Sequence, residues 1–135
     1  RAKKNQAGVL DDVALSLPAL IRSLKLQKRA ARVGFDWPEV SQVLDKINEE
    51  TKELVEAKKH ESQERINEEF GDLIFSIVNL GRHLKVDPEE ALKNTNKKFI
   101  KRFQFVENSI KSRGSKIEDT SLEDMETLWQ RAKRS

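Results

Sequence analysis

The stretch INEETKELVEA, Ile47–Ala57, and its echo INEEFGDLIFS, Ile66–Ser76, decide how the chain is read. Each begins as an amphipathic helix, with apolar residues three and four apart. Each then sets acidic residues three apart beside that stripe: Glu50 and Glu53 in the first, Glu69 and Asp72 in the second. Residues at that spacing share a helix face. If the two helices pack antiparallel through their stripes, four carboxylates converge at the margin of a core. Four like charges there are unfavourable unless something positive sits among them. Ligands that are all oxygen suit a hard cation, Mg²⁺ or Mn²⁺, rather than Zn²⁺.

Basic residues repeat the geometry. Lys46 lies four before Glu50 and Arg65 four before Glu69, while Lys98 and Arg102 stand four apart beside the stripe of a later helix. Carboxylates for a metal and an arc of Lys and Arg together are what a polyphosphate requires. In a chain that is 36% charged, the same spacings also fit ordinary helix ion pairs on a solvated face. The pattern alone leaves both readings open.

Outward from these two segments the chain reads as five helices. The first follows Pro18, carries Leu20, Leu24 and Ala31, and stops near Gly34. The second opens at DWPE, with Asp36 as cap, Pro38 near the first helical position and Glu39 at capping-box spacing. Its stripe is Val40, Val43, Leu44, Ile47 and Leu54, and it ends in the polar stretch from Lys58 to Gln63. The third runs from about 62 to 84 with Ile66, Phe70, Leu73, Ile74, Ile77, Leu80 and Leu84 as its apolar stripe. The fourth starts at DPEE, carries Leu92, Phe99, Phe103, Val106 and Ile110, and stops at Gly114. The fifth follows Ser121 with Leu122, Met125, Leu128 and Trp129. No segment alternates as a strand would. The expected fold is all-α: a bundle of about five helices with a four-helix core.

The 135 residues, with 5 Gly and 3 Pro, suit one compact helical domain. Residues 1–16 read as a polar lead-in or former interdomain linker and 17–135 as the helical domain. The chain opens on Arg1 rather than Met, as a fragment or processed chain would. With no Cys, thiol catalysis and thiolate metal sites are excluded. No apolar run is long enough to span a membrane and nothing resembles a signal peptide, so a cytoplasmic location is expected. The first 35 residues hold eight Lys/Arg against two Asp, so the basic excess behind the pI of 9.2 is N-terminal. It does not run along a helix face with interleaved aromatics, which argues against a nucleic-acid partner. His60 and His83 have no spaced ligand partners and receive no role. Trp37 reads as a packing anchor, with lining of the pocket as the alternative.

Glu49-Glu50-Thr51-Lys52-Glu53, followed after a gap of 15 residues by Glu69-Phe70-Gly71-Asp72, resembles the EExxE…ExxD signature of the MazG family. Those proteins are all-α nucleoside triphosphate pyrophosphohydrolases. The segment from Gly8 to Trp37 resembles the entry into the C-terminal catalytic domain of tandem-domain members, and EEFGDLIFSIVNLGRHL and NKKFIKRFQFVE resemble later helices. The likeness covers residues 7 to 135. It implies Mg²⁺-dependent hydrolysis of a nucleoside triphosphate to monophosphate and pyrophosphate, a nucleotide-pool house-cleaning reaction. It assigns the metal to Glu50, Glu53, Glu69 and Asp72, the four acids the helical geometry selects; Glu49 projects away from them. It gives Lys46, Arg65, Lys98 and Arg102 to the phosphates and places Trp129 near the nucleotide. It also implies a homodimer. Three rivals stand beside it: a regulatory module that binds nucleotide or protein without turnover, a nucleic-acid binder, and a plain helical assembly domain.

Overall fold

The computed structural model describes residues 8–60 and 62–135. Among these residues are five α-helices: α1 Ala19–Arg32, α2 Val40–Lys59, α3 Gln63–His83, α4 Pro88–Ser112 and α5 Leu122–Lys133. A single 3₁₀ turn, Ile117–Asp119, precedes α5, and no strand occurs among the described residues. The all-α expectation holds. The chain divides into two compact units, one ending at Glu89 and one comprising Glu90–Ser135, and each is described by itself.

In the first unit α2 and α3 pack along one another and α1 packs on α3. Only residues 60–62 separate α2 from α3, and so short a connection makes adjacent packed helices antiparallel. Several ends follow the sequence rules. Ser62 caps α3 by accepting from the Arg65 N–H at 3.3 Å. Asp87 Oδ1 accepts from the Glu89 N–H at 2.9 Å at the start of α4. Gly34 stops α1 with φ +96°, and the Gly34 and Phe35 N–H groups return to the carbonyls of Ala31 and Ala30, the Schellman pattern.

Two expectations need correction. Asp36 does not cap α2. That helix begins at Val40, with Glu39 as the cap residue and Gln42 Oε1 accepting from the Glu39 N–H at 3.3 Å. Pro38 disfavours helical backbone at Trp37, and the Asp36 carboxylate is taken by Arg82. The second correction concerns the α3 stripe. Phe70, Ile74 and Ile77 are exposed, as is Leu84, while the buried residues of α3 are Ser76, Val78 and Asn79. A helix apolar on much of its circumference does not reveal by periodicity which face enters the core.

The core of the first unit contains Val13, Leu24, Val43, Ala57 and Val78. Residues 1–7 of the expected lead-in lie outside the described residues. The rest of it is tied to α1: Asp12 pairs with Arg29 at 3.0 Å and Val13 is buried. Gln27 crosses from α1 to α3, donating to the Phe75 carbonyl at 3.1 Å. In the second unit Val106, Ile110 and Leu128 form the core, with Ile117, Met125 and Trp129 packed against it.

Candidate active site

The carboxylates lie where two antiparallel helices would set them. Glu50 is nine residues from the end of α2, and Glu69 and Asp72 are six and nine residues into α3, so the same level of the hairpin carries all three. Each offers an oxygen within 4.8 Å of the other two. That spread is within reach of one ion held at the 2.0–2.6 Å typical of oxygen ligands to Mg²⁺ and Ca²⁺. Glu50 is 6% exposed. Glu53, the fourth expected ligand, stands outside this set of three. It is nonetheless the strongest of the charges acting on Glu69.

The electrostatics show an unbalanced group. Burial, then the negative charges of Glu53, Glu50, Asp72 and Glu68, hold the Glu69 carboxyl above its ordinary range. Among the described residues Lys46 is the one cation in contact with the set. Its Nζ lies 3.0 Å from Glu50 Oε1 and 3.4 Å from Glu49 Oε1, and the bond to Glu50 pushes its own pKa up. The donors are all carboxylate oxygen, one is buried, and among the described residues of the first unit Lys46 alone is in contact to offset the repulsion among them. This is the environment a hard divalent cation fits.

Beside the carboxylates is a cavity of about 260 Å³. Lys46, Glu50 and Asp72 border it on the charged side, Trp37, Val43 and Phe75 supply apolar walls, and Ser76 and Asn79 add neutral polar groups. Sequence reasoning missed Ser76 and Asn79, although a signal existed: they lie four and seven residues after Asp72, on one helical face. Trp37 lines this cavity, the alternative to its reading as a packing anchor.

At the far end of α3 a second charged group is complete. Asp36 receives Arg82 through both oxygens, the NH1 contact being 3.3 Å. Arg82 Nε donates to Asn79 Oδ1 at 3.0 Å. His83 Nε2 lies 3.3 Å from Asp36 Oδ1 and 3.1 Å from Arg82 NH2. The Arg82 hydrogen bond, outweighing partial burial, holds the Asp36 carboxyl below its usual range. His83 was expected to have no carboxylate partner; Asp36, 47 positions away in sequence, is one. His60 pairs only with Glu56, at 3.4 Å on the surface.

The remaining expected site residues are placed as follows. Arg65 is exposed in the first turn of α3, one turn before Glu69. Lys98 and Arg102 lie in the second unit, where with Lys101, Phe105, Ala132 and Ser135 they border another cavity of about 260 Å³. Trp129 packs in the second unit, its ring 5.3 Å from that of Phe99.

Comparison with known proteins points the same way. A family model described as the MazG nucleotide pyrophosphohydrolase domain matches residues 39–106. A nucleoside triphosphate pyrophosphohydrolase of Escherichia coli K12 is 47% identical over 136 residues, covering 99% of this chain and 52% of that protein. A nucleoside triphosphate pyrophosphohydrolase/pyrophosphatase MazG of Thermotoga maritima is 42% identical over 130 residues, covering 96% of this chain and 50% of that protein. The uncharacterized protein YabN of Bacillus subtilis is 45% identical over 138 residues, covering all of this chain and 28% of that protein. The chain thus spans about half the length of the two pyrophosphohydrolases it matches.

Proposed function

We propose that this chain, which belongs to the MazG nucleotide pyrophosphohydrolase family, hydrolyses nucleoside triphosphates to nucleoside monophosphate and pyrophosphate with Mg²⁺. The observation that carries the reading is the meeting of Glu50, Glu69 and Asp72 within reach of one ion, beside a cavity with aromatic walls. The matched relatives whose names give an activity are named for this one.

Glu50, Glu69 and Asp72 would hold the cation, with Glu53 the fourth carboxylate beside them; Mn²⁺ has the same donor preference. When bound, the cation supplies neutralisation and Lewis-acid polarisation of phosphoryl oxygen. A carboxylate of the group accepts the proton of the attacking water. The water oxygen bonds to the α-phosphorus, the bond from the α-phosphorus to the oxygen it shares with the β-phosphorus breaks, and that oxygen leaves with the electron pair as part of pyrophosphate. Lys46, Arg65, Lys98 and Arg102 are proposed to bind the phosphates and offset the charge on the leaving group. Trp129 is proposed as an aromatic contact of the nucleotide, on the resemblance alone.

The same proposal takes the chain to correspond to the C-terminal one of two such domains, working in the cytoplasm as a homodimer. No described helix is long and apolar enough to cross a membrane. The dimer is supported by Phe70, Ile74 and Ile77, which follow one another at helical spacing on α3 and are all exposed. Sedimentation of the parent and of Ile77→Glu tests it: a dimer that dissociates in the variant is expected, and a monomeric parent overturns it.

The test of the activity is product analysis. ATP, and separately dTTP, is incubated with the protein and Mg²⁺ and resolved by ion exchange, with an EDTA control. Monophosphate and pyrophosphate that vanish with EDTA are expected. Diphosphate and phosphate would mean another bond is cut, and binding without turnover would favour the regulatory module.

A further inference from the structure

We propose that Asn79 is a specificity-determining residue that donates a hydrogen bond to the edge of the substrate's base, and that Arg82, locked by Asp36, is the positioning residue that sets which end of the Asn79 amide faces the cavity. This rests on the reading of the site as a nucleoside triphosphate site.

An Asn side chain ends in an acceptor and a donor of nearly equal shape, and its surroundings choose which way it faces. A guanidinium has donors only. Arg82 Nε lies 3.0 Å from Asn79 Oδ1, so the acceptor end is spent on Arg82 and the NH₂ is the end that remains. Arg82 is itself fixed, because Asp36 receives both of its terminal nitrogens and its side chain is only 14% exposed. The charge pair therefore works through Arg82 as a selector of amide orientation.

The amide sits where that orientation matters. Asn79 is 5% exposed, yet it lines the cavity that Glu50 and Asp72 border. Among the described residues its Nδ2 has no protein acceptor within hydrogen-bond distance. A donor on the cavity wall that no protein acceptor serves favours a ligand that brings one, and penalises an analogue that cannot. Ser76, which also lines the cavity, carries a hydroxyl that both donates and accepts, so it does not discriminate. Trp37 and Phe75 give the cavity flat apolar walls, which suit a heterocycle with its phosphates toward the carboxylates. The ligand class is a nucleotide whose base carries a carbonyl oxygen or an unprotonated ring nitrogen on the edge it turns inward.

The test compares dTTP with the triphosphate of its difluorotoluene isostere, which keeps the shape of thymine and lacks its carbonyl acceptors. Both kcat/KM for hydrolysis and Kd for the non-hydrolysable α,β-methylene forms are measured in the parent, Asn79→Asp, Asn79→Leu and Arg82→Lys. The parent should favour dTTP by about tenfold or more. Asn79→Asp has the same shape but turns an acceptor to the cavity, so the preference should vanish, through KM and Kd rather than kcat. Arg82→Lys keeps a cation for Asp36 and should give an intermediate ratio, which a merely structural role for Arg82 would leave unchanged. A parent without preference, or an Asn79→Asp protein that keeps the parent ratio, overturns the inference. If no nucleotide is hydrolysed but the Kd ratios follow the expected order, the hydrolase reading fails and the inference stands.

Discussion

Two charged groups on α3, two turns and more apart, are built from the same chemistry and end in opposite states. At the level of Glu69, three carboxylates meet with Lys46 as the cation in contact, and the Glu69 carboxyl is pushed up, first by burial and then by its acidic neighbours. At the level of Arg82, one carboxylate meets a guanidinium and an imidazole, and the Asp36 carboxyl is pulled down. The second group is finished by protein alone. The first sets three carboxylates against one cation among the described residues and is therefore the one that calls for a ligand. Charge balance, more than the presence of acids, separates a binding site from a structural ion pair.

The largest expected effect breaks the first group. Asp72→Asn removes a proposed ligand at an exposed position and should lower triphosphate hydrolysis by about a hundredfold or more with unchanged helix content by circular dichroism. Activity within a few-fold of the parent would remove Asp72 from the metal set.

Next comes the finished group. Arg82→Met leaves Asp36 with His83 alone and frees the Asn79 carbonyl, and should cost about 2 kcal/mol of stability in urea denaturation. No loss would mean that the pair contributes nothing net, as exposed pairs often do.

The pH dependence of the same pair has a definite sign. The Asp36 pKa is lower folded than unfolded, so its contribution is full above the model-peptide value of 3.8 and is lost as pH falls through the lower folded value. The difference in Tm between parent and Asp36→Asn should therefore be flat near neutrality and shrink below pH 3.8. A difference that grows in acid contradicts the assignment.

The smallest effect runs the other way. The Glu69 pKa is higher folded than unfolded, so the metal-free protein loses stability as pH rises from 4.5 through the raised value. Glu69→Gln should raise Tm slightly at neutral pH in EDTA and remove any further rise on adding Mg²⁺. A lower Tm in EDTA would show that Glu69 is already compensated.

Much of this comparison could be read from the sequence, and the limits have physical causes. Helix starts at Pro18, Ser62, Asp87 and Ser121 and stops at Gly34 and Gly114 follow from local capping chemistry, which neighbouring residues determine. The acidic pairs were legible because one helix face is set by spacing alone. The end of α3 was read at Leu84, its C-cap residue, from the end of the apolar pattern, although no Gly or Asn marks it: Lys85 takes the left-handed conformation at φ 60°, where such a residue is uncommon. The Asp36–Arg82 pair was invisible because it joins positions 46 apart, and a locally plausible cap hid its long-range partner. Asn79 was passed over as a polar residue in an apolar run. Its burial depends on which side of α3 meets the rest of the first unit, and the apolar residues around much of that helix left the side undecided.

The central claim is that the unbalanced group, and not the finished one, takes a divalent cation. A Mn²⁺ titration read by electron paramagnetic resonance on the parent, Asp72→Asn and Asp36→Asn tests it most directly. The account predicts binding by the parent, binding weakened at least about tenfold in Asp72→Asn, and parent-like binding in Asp36→Asn. Parent-like binding in Asp72→Asn, or equal loss in both variants, would contradict it.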